Sequence, residues 1–178
     1  METRNVFKCF ISSPGDCEIE RNSCLNVLDR INSGLSKHLG VNFEKFMWEY
    51  DVLPDMGQNG QEIIDEYISK SNYDIFIGIM KNRFGHPTKK AGSGTEHEFN
   101  DALERKKNSP NSIPRILFFF GKEKVDLNSP EINEILEQHI KVKKFKSEIS
   151  NRGIYIDFES IDAFEKAQEE RNVKKGMI

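Results

Sequence analysis

Glu96 and Glu98 follow the turn Gly92-Ser93-Gly94 and open a helix-like segment that ends near Lys107. The loop before them, Lys81–Lys90, is rich in Gly, Pro and cations, and its Arg83 offers a planar fork for a phosphate or carboxylate. The two glycines flanking Ser93 let a ligand approach the backbone closely. A second anion-binding element is Ser12-Ser13-Pro14-Gly15-Asp16, whose helix start presents free N–H groups and the positive end of a dipole. Together these groups suit a bound anion held beside a reactive carboxylate. Each piece also has a plainer role. Ser13 and Asp16 can cap a helix, and Arg83 can be a solvated loop residue. Thr95-x-x-Glu98 matches a capping box, and so does Ser93-x-x-Glu96, but only one register can hold. If Ser93 caps, Glu96 is used structurally and Glu98 projects into the crevice. If Thr95 caps, Glu98 turns back on its own helix. His97 reads as a surface residue.

These groups are positioned by alternating strands and helices. The apolar run Tyr73–Met80 reads as a strand buried on both faces, as in a parallel sheet. Arg4–Ile11, Asn42–Trp48, Arg115–Phe120 and Ile154–Phe158 read as further strands. Between them come helices: one from the Ser13-Pro14 start to about Leu39, with Leu25, Leu28, Ile31 and Leu35 on one face; Gln61–Ser71; and Thr95–Lys107, with Phe99, Ala102 and Leu103 inward. A long amphipathic helix starts at the cap Ser129-Pro130 and is marked by Ile132, Ile135, Leu136, Ile140 and Phe145; its basic run Lys141–Lys146 reads as a solvated face. A last helix carries Ile161, Phe164 and Ala167. Glu49–Gly60 is a loop by composition. The alternation predicts an α/β domain with a flavodoxin-like, five-stranded parallel sheet of order 2-1-3-4-5 and helices on both faces. In that order the loops at Ser12–Asp16, Arg83–Gly94 and Gly94–Glu98 converge at the carboxyl edge, where open sheets bind ligands.

At 178 residues and 37% apolar composition, the main domain is expected over residues 1–158, with a helix and charged tail over 159–178 that suits a linker to further domains. A net charge of −3 argues against a general nucleic-acid binder. No apolar run approaches the length of a membrane span, and the N-terminus has no signal-peptide pattern. Cys9, Cys17 and Cys24 lack C-x-x-C spacing and read as buried reduced thiols of a cytoplasmic protein, and no H-E-x-x-H pair suggests a metal.

The segments Phe10-Ile11-Ser12-Ser13-Pro14-Gly15-Asp16, Trp48-Glu49-x-Asp51-Val52-Leu53-Pro54, Asp74–Met80 and Gly92-Ser93-Gly94-Thr95-Glu96-x-Glu98-Phe99 resemble one family across roughly residues 5–121. It is a set of Toll/interleukin-1 receptor (TIR)-like domains of largely uncharacterised function, often found at the N-terminus of larger NTPase proteins. The resemblance implies that Asp51–Gly60 corresponds to the mobile loop that TIR domains use in assembly and in gating. Gly94-Thr95-Glu96-His97-Glu98 is similar to the G-T-x-x-E motif of the related nucleoside 2-deoxyribosyltransferases, which puts their catalytic glutamate at Glu98. TIR-type NAD hydrolases carry a glutamate on the same helix, although this chain departs from the S-x-W-C-x-x-E setting of many of them, which leaves Glu96 in contention.

The activity implied is cleavage of the nicotinamide–ribose bond of NAD, taken as a substrate with no tightly bound cofactor. The leaving group is a neutral pyridine that needs no proton, so one carboxylate suffices where ordinary glycosidases use two. Glu98 is the candidate carboxylate and Glu96 a supporting acid. Ser12, Ser13, Asp16, Arg83, Ser93 and Thr95 are candidate ligand contacts, and Phe84 or Trp48 a platform for the base. The resemblance also implies an intracellular defence or signalling role and activation by self-association. Two other classes stay open: a non-catalytic assembly module, and an N-glycosidase or base transferase acting on nucleosides.

Overall fold

The computed structural model describes residues 5–34, 38, 40–47, 71–88, 91–122, 124–153 and 155–174. The expectations for Trp48, the Asp51–Gly60 loop and the helix over residues 61–70 lie outside them. Five strands, β1 (Asn5–Ser12), β2 (Val41–Phe46), β3 (Ile75–Met80), β4 (Arg115–Gly121) and β5 (Ile156–Phe158), form one sheet. Its order is β2-β1-β3-β4-β5 and every pair is parallel. Four α-helices among the described residues complete the fold: α1 (Glu18–Gly34), α2 (Gly94–Asn108), α3 (Ile132–Ser150) and α4 (Ile161–Lys174). This is the predicted flavodoxin-like α/β topology.

Strand parity divides the core into two layers. Cys9, Ile11, Ile75, Ile77, Ile79 and Phe119 pack with Val27, Leu28 and Ile31 of α1 and Phe164 of α4. Phe10, Phe76, Met80, Phe118 and Phe120 pack with Phe99 and Ala102 of α2 and Val142, Phe145 and Ile149 of α3. All six residues of β3 are buried, as a strand covered on both faces requires. Gly78 sits between Ser12 and Phe118 in register. A Cβ on Gly78 would lie 2.4 Å from the Phe118 ring, so only glycine admits that ring here.

Several local expectations are corrected. Ser13 does not cap α1: a 3-10 turn, Gly15–Cys17, precedes it, with Pro14 at the cap position and no side-chain cap bond. Asp16 accepts instead from the Arg83 N–H and from the Cys17 thiol. Nor does Ser129 cap α3. Its Oγ accepts from the Glu131 N–H within a turn, and the helix begins later, at Ile132. On α3 the inward stripe is Val142, Phe145 and Ile149, while Leu136 and Ile140 are exposed, because the first half of that helix stands over loops rather than over strands. Lys146 lies over the Tyr155 ring and pairs with Asp157, so the basic run is only partly a solvated face. The helix beyond residue 158 is packed onto the domain: Phe164 and Gln168 are fully buried, Gln168 reaches Cys24, and Arg30 of α1 bonds Glu165 and Glu169.

Candidate functional site

Ser12 ends β1 on the same face of the sheet as Phe10, which turns its hydroxyl toward α2. Glu98 occupies the second turn of α2, and the Ser12 Oγ donates a hydrogen bond to its Oε2. Both residues are buried, Ser12 at 1% and Glu98 at 6% exposure. A carboxylate removed from water requires such donors.

The start of α2 settles the capping register. Ser93 is the N-cap: its Oγ accepts from the Glu96 N–H, and Glu96 Oε2 accepts from the Gly92 N–H. Glu96 therefore reaches back over the helix start as a capping-box glutamate does, but to the Gly92 N–H rather than to that of Ser93, and Glu98 is left to meet Ser12. Thr95 is buried in the same turn. His97, expected at the surface, is also buried at 6% exposure, with its Nε2 3.8 Å from Asp101. A Cβ on Gly92 would fall 2.9 Å from the Phe84 ring, and one on Gly85 would fall 3.3 Å from the Ser93 Cβ. Phe84 itself is buried against Phe145 in the aromatic core rather than offered to a ligand.

A cleft of about 310 Å³ opens at the carboxyl edge beside Asp16 and Arg83, closed on its other sides by Lys124, Ile135 and Gln138. It joins the loops after β1, β3 and β4 to α3. Glu96 and Glu98 are not among the described residues lining it. The Arg83 guanidinium, half exposed, lies 3.6 Å from Glu134. Asp16, Asp126, Glu131 and Glu134 outnumber the cations Arg83 and Lys124 there, which works against a phosphate in this cleft. Burial pushes the Asp16 carboxyl up from its ordinary value, against the pull of the Arg83 N–H and of Lys81. The Ser13 Oγ is buried without a partner among the described residues.

Two functional supports were missed in the sequence. Gln138 Oε1 accepts from both the Phe84 and Gly85 N–H groups and so holds the loop in place. Its spacing to Val142 and Phe145 marked it as inward, although its polarity hid that. Lys81 pairs with Glu20 at 3.1 Å, both well buried, just beyond β3; nothing in the local pattern signalled that pairing.

The three thiols are free and buried. Among the described residues no group of three or more His, Cys, Asp or Glu side chains is placed to hold a metal, and no helix is long and apolar enough to cross a membrane. No curated protein matches the chain. The model of a family described as a domain of unknown function (DUF4062) matches residues 8–172, nearly the whole chain, which therefore belongs to that family.

Proposed function

We propose that this chain is a TIR-like, NAD-consuming domain of an intracellular defence or signalling protein, with Glu98 as its catalytic carboxylate. The observation that carries the reading is the buried pair of Glu98 and Ser12 at the β1/β3 switch point of a parallel sheet. A carboxylate in that setting can stabilise an oxocarbenium-like ribosyl group or form a transient ester with it, while nicotinamide leaves as a neutral base. Ser12 holds Glu98 in place, and beside it the buried Ser13 hydroxyl has no partner among the described residues, which leaves it to a ligand that reaches this depth. Arg83, the candidate phosphate contact, stands at the neighbouring cleft, where it pairs with Glu134 among a surplus of carboxylates, so it is not assigned that role. Glu96 supports the helix start rather than the reaction. The low exposure of Glu98 fits a site that self-association opens.

That same low exposure favours a second reading, a non-catalytic assembly module of a larger protein. The deciding experiment measures nicotinamide release from NAD by the protein, free and artificially clustered, beside Glu98→Gln, with nucleosides as alternative substrates. The amide keeps the size and one hydrogen-bond acceptor but removes the charge, so a catalytic Glu98 predicts a loss of about a hundredfold or more. Equal rates in the two proteins would remove Glu98 from the mechanism. Absence of turnover in every clustered state favours the assembly module.

A further inference from the structure

Helix α3 carries an outward face that the other described residues leave uncovered. Asn133, Leu136, Glu137, Ile140, Lys144 and Ser147 recur at spacings of three and four and are all exposed. Ile140 is 65% and Leu136 40% exposed, and the inward stripe of Val142, Phe145 and Ile149 lies on the opposite side. Glu137 comes one turn before Ile140, Lys143 and Lys144 come one turn after it, and Glu148 lies a further turn on, all exposed. Glu137 is bonded within its own helix to Lys141 at 2.7 Å, an exposed pair that can be shared with a second cation.

We infer that this face binds a second copy of the same chain, α3 against α3, antiparallel about a two-fold axis through Ile140. The spacing is self-complementary. Glu137 lies three residues before Ile140 and Lys144 four after, about 4.5 and 6 Å along the helix from the axis, and at about 100° per residue both lie on the same flank of Ile140. In an antiparallel pair, Glu137 of one copy therefore meets Lys144 of the other, twice over. Leu136, on the other flank, meets Lys143 of the second copy, whose aliphatic stem covers it while the ammonium reaches water. Ile140 meets its own counterpart on the axis. A parallel pair would oppose Glu137 to Glu137 and the lysines to one another, so charge selects the antiparallel arrangement. An isologous contact of this kind closes on itself as a dimer.

The proposal gives a surface to the self-association in the reading above, and it is decided by mass alone, whatever the outcome of the nicotinamide assay. Sedimentation of the chain is followed from roughly 10 µM to 1 mM, a range suited to a single helix-on-helix contact. A concentration-dependent dimer is expected, and Ile140→Asp, an exposed position that the fold tolerates, raises its dissociation constant about tenfold or more. Glu137→Lys and Lys144→Glu each weaken the dimer, and an equimolar mixture of the two restores it as a heterodimer, because both cross-axis contacts regain opposite signs. A chain that stays monomeric throughout the range overturns the proposal. So does a dimer indifferent to Ile140→Asp, or a mixture no tighter than its components.

Discussion

Ser12 and Glu98, 86 residues apart, are joined by a hydrogen bond from the serine hydroxyl to the glutamate carboxylate, buried between the end of β1 and the second turn of α2. The bond ties the central pair of strands to the helix that follows β3. It also places a buried carboxylate at the carboxyl edge of the sheet.

Ser12→Ala leaves that carboxylate without this donor, and the expected loss of stability is ~1–3 kcal/mol. Glu98→Gln keeps an acceptor for the serine and should cost less. Urea unfolding of the two variants measures the order, and a larger loss in Glu98→Gln would mean that the charge, not the bond to Ser12, holds this contact.

Ser93→Ala removes the N-cap of α2 and is expected to cost ~0.5–2 kcal/mol. Thr95→Val keeps the volume and the cap and should cost less. Glu96→Gln retains an acceptor for the Gly92 N–H, since either residue completes a capping box. Thermal unfolding of the three variants would contradict the Ser93 register if Thr95→Val were the most harmful.

Asp16 gives the chain a pH dependence of definite sign. Its carboxyl is raised in the native state, chiefly by burial, so the native chain holds that proton more tightly than the unfolded chain does. Stability from this group is full below the ordinary value of 3.8, falls as pH rises through the native value, and stays reduced above it. Asp16→Asn should flatten that slope in melting curves recorded from acid to neutral pH. An unchanged slope would assign the dependence to other groups.

Burial raises all three thiols: Cys9 well above its ordinary value, Cys17 also, and Cys24 to about 12. The thiolate is the reactive form, so the native chain at neutral pH should resist a thiol reagent and release three equivalents only on unfolding. Rapid labelling of any one of them in the folded protein would show that its cover opens.

The division between local and tertiary information follows from the range of the forces involved. Alternating apolar runs of strand length and helices of helical period were enough to specify a parallel sheet covered on both faces, because each element must hide its own apolar face, while the order 2-1-3-4-5 rested on the family resemblance as well. The capping box at Ser93 was also written locally, as one of two overlapping registers. What chose between them was the sheet: once Ser12 follows Phe10 onto the α2 face, Glu98 has a partner there and Glu96 is free to turn back to Gly92. The same long-range packing took Asp16 from its expected cap to Arg83, buried His97, and left Leu136 and Ile140 outside. Period alone identifies which residues share a helix face. Which face is covered depends on what stands beneath it, and for the first half of α3 that is a set of loops assembled from three separate strands, a contact that no local stretch of the chain encodes.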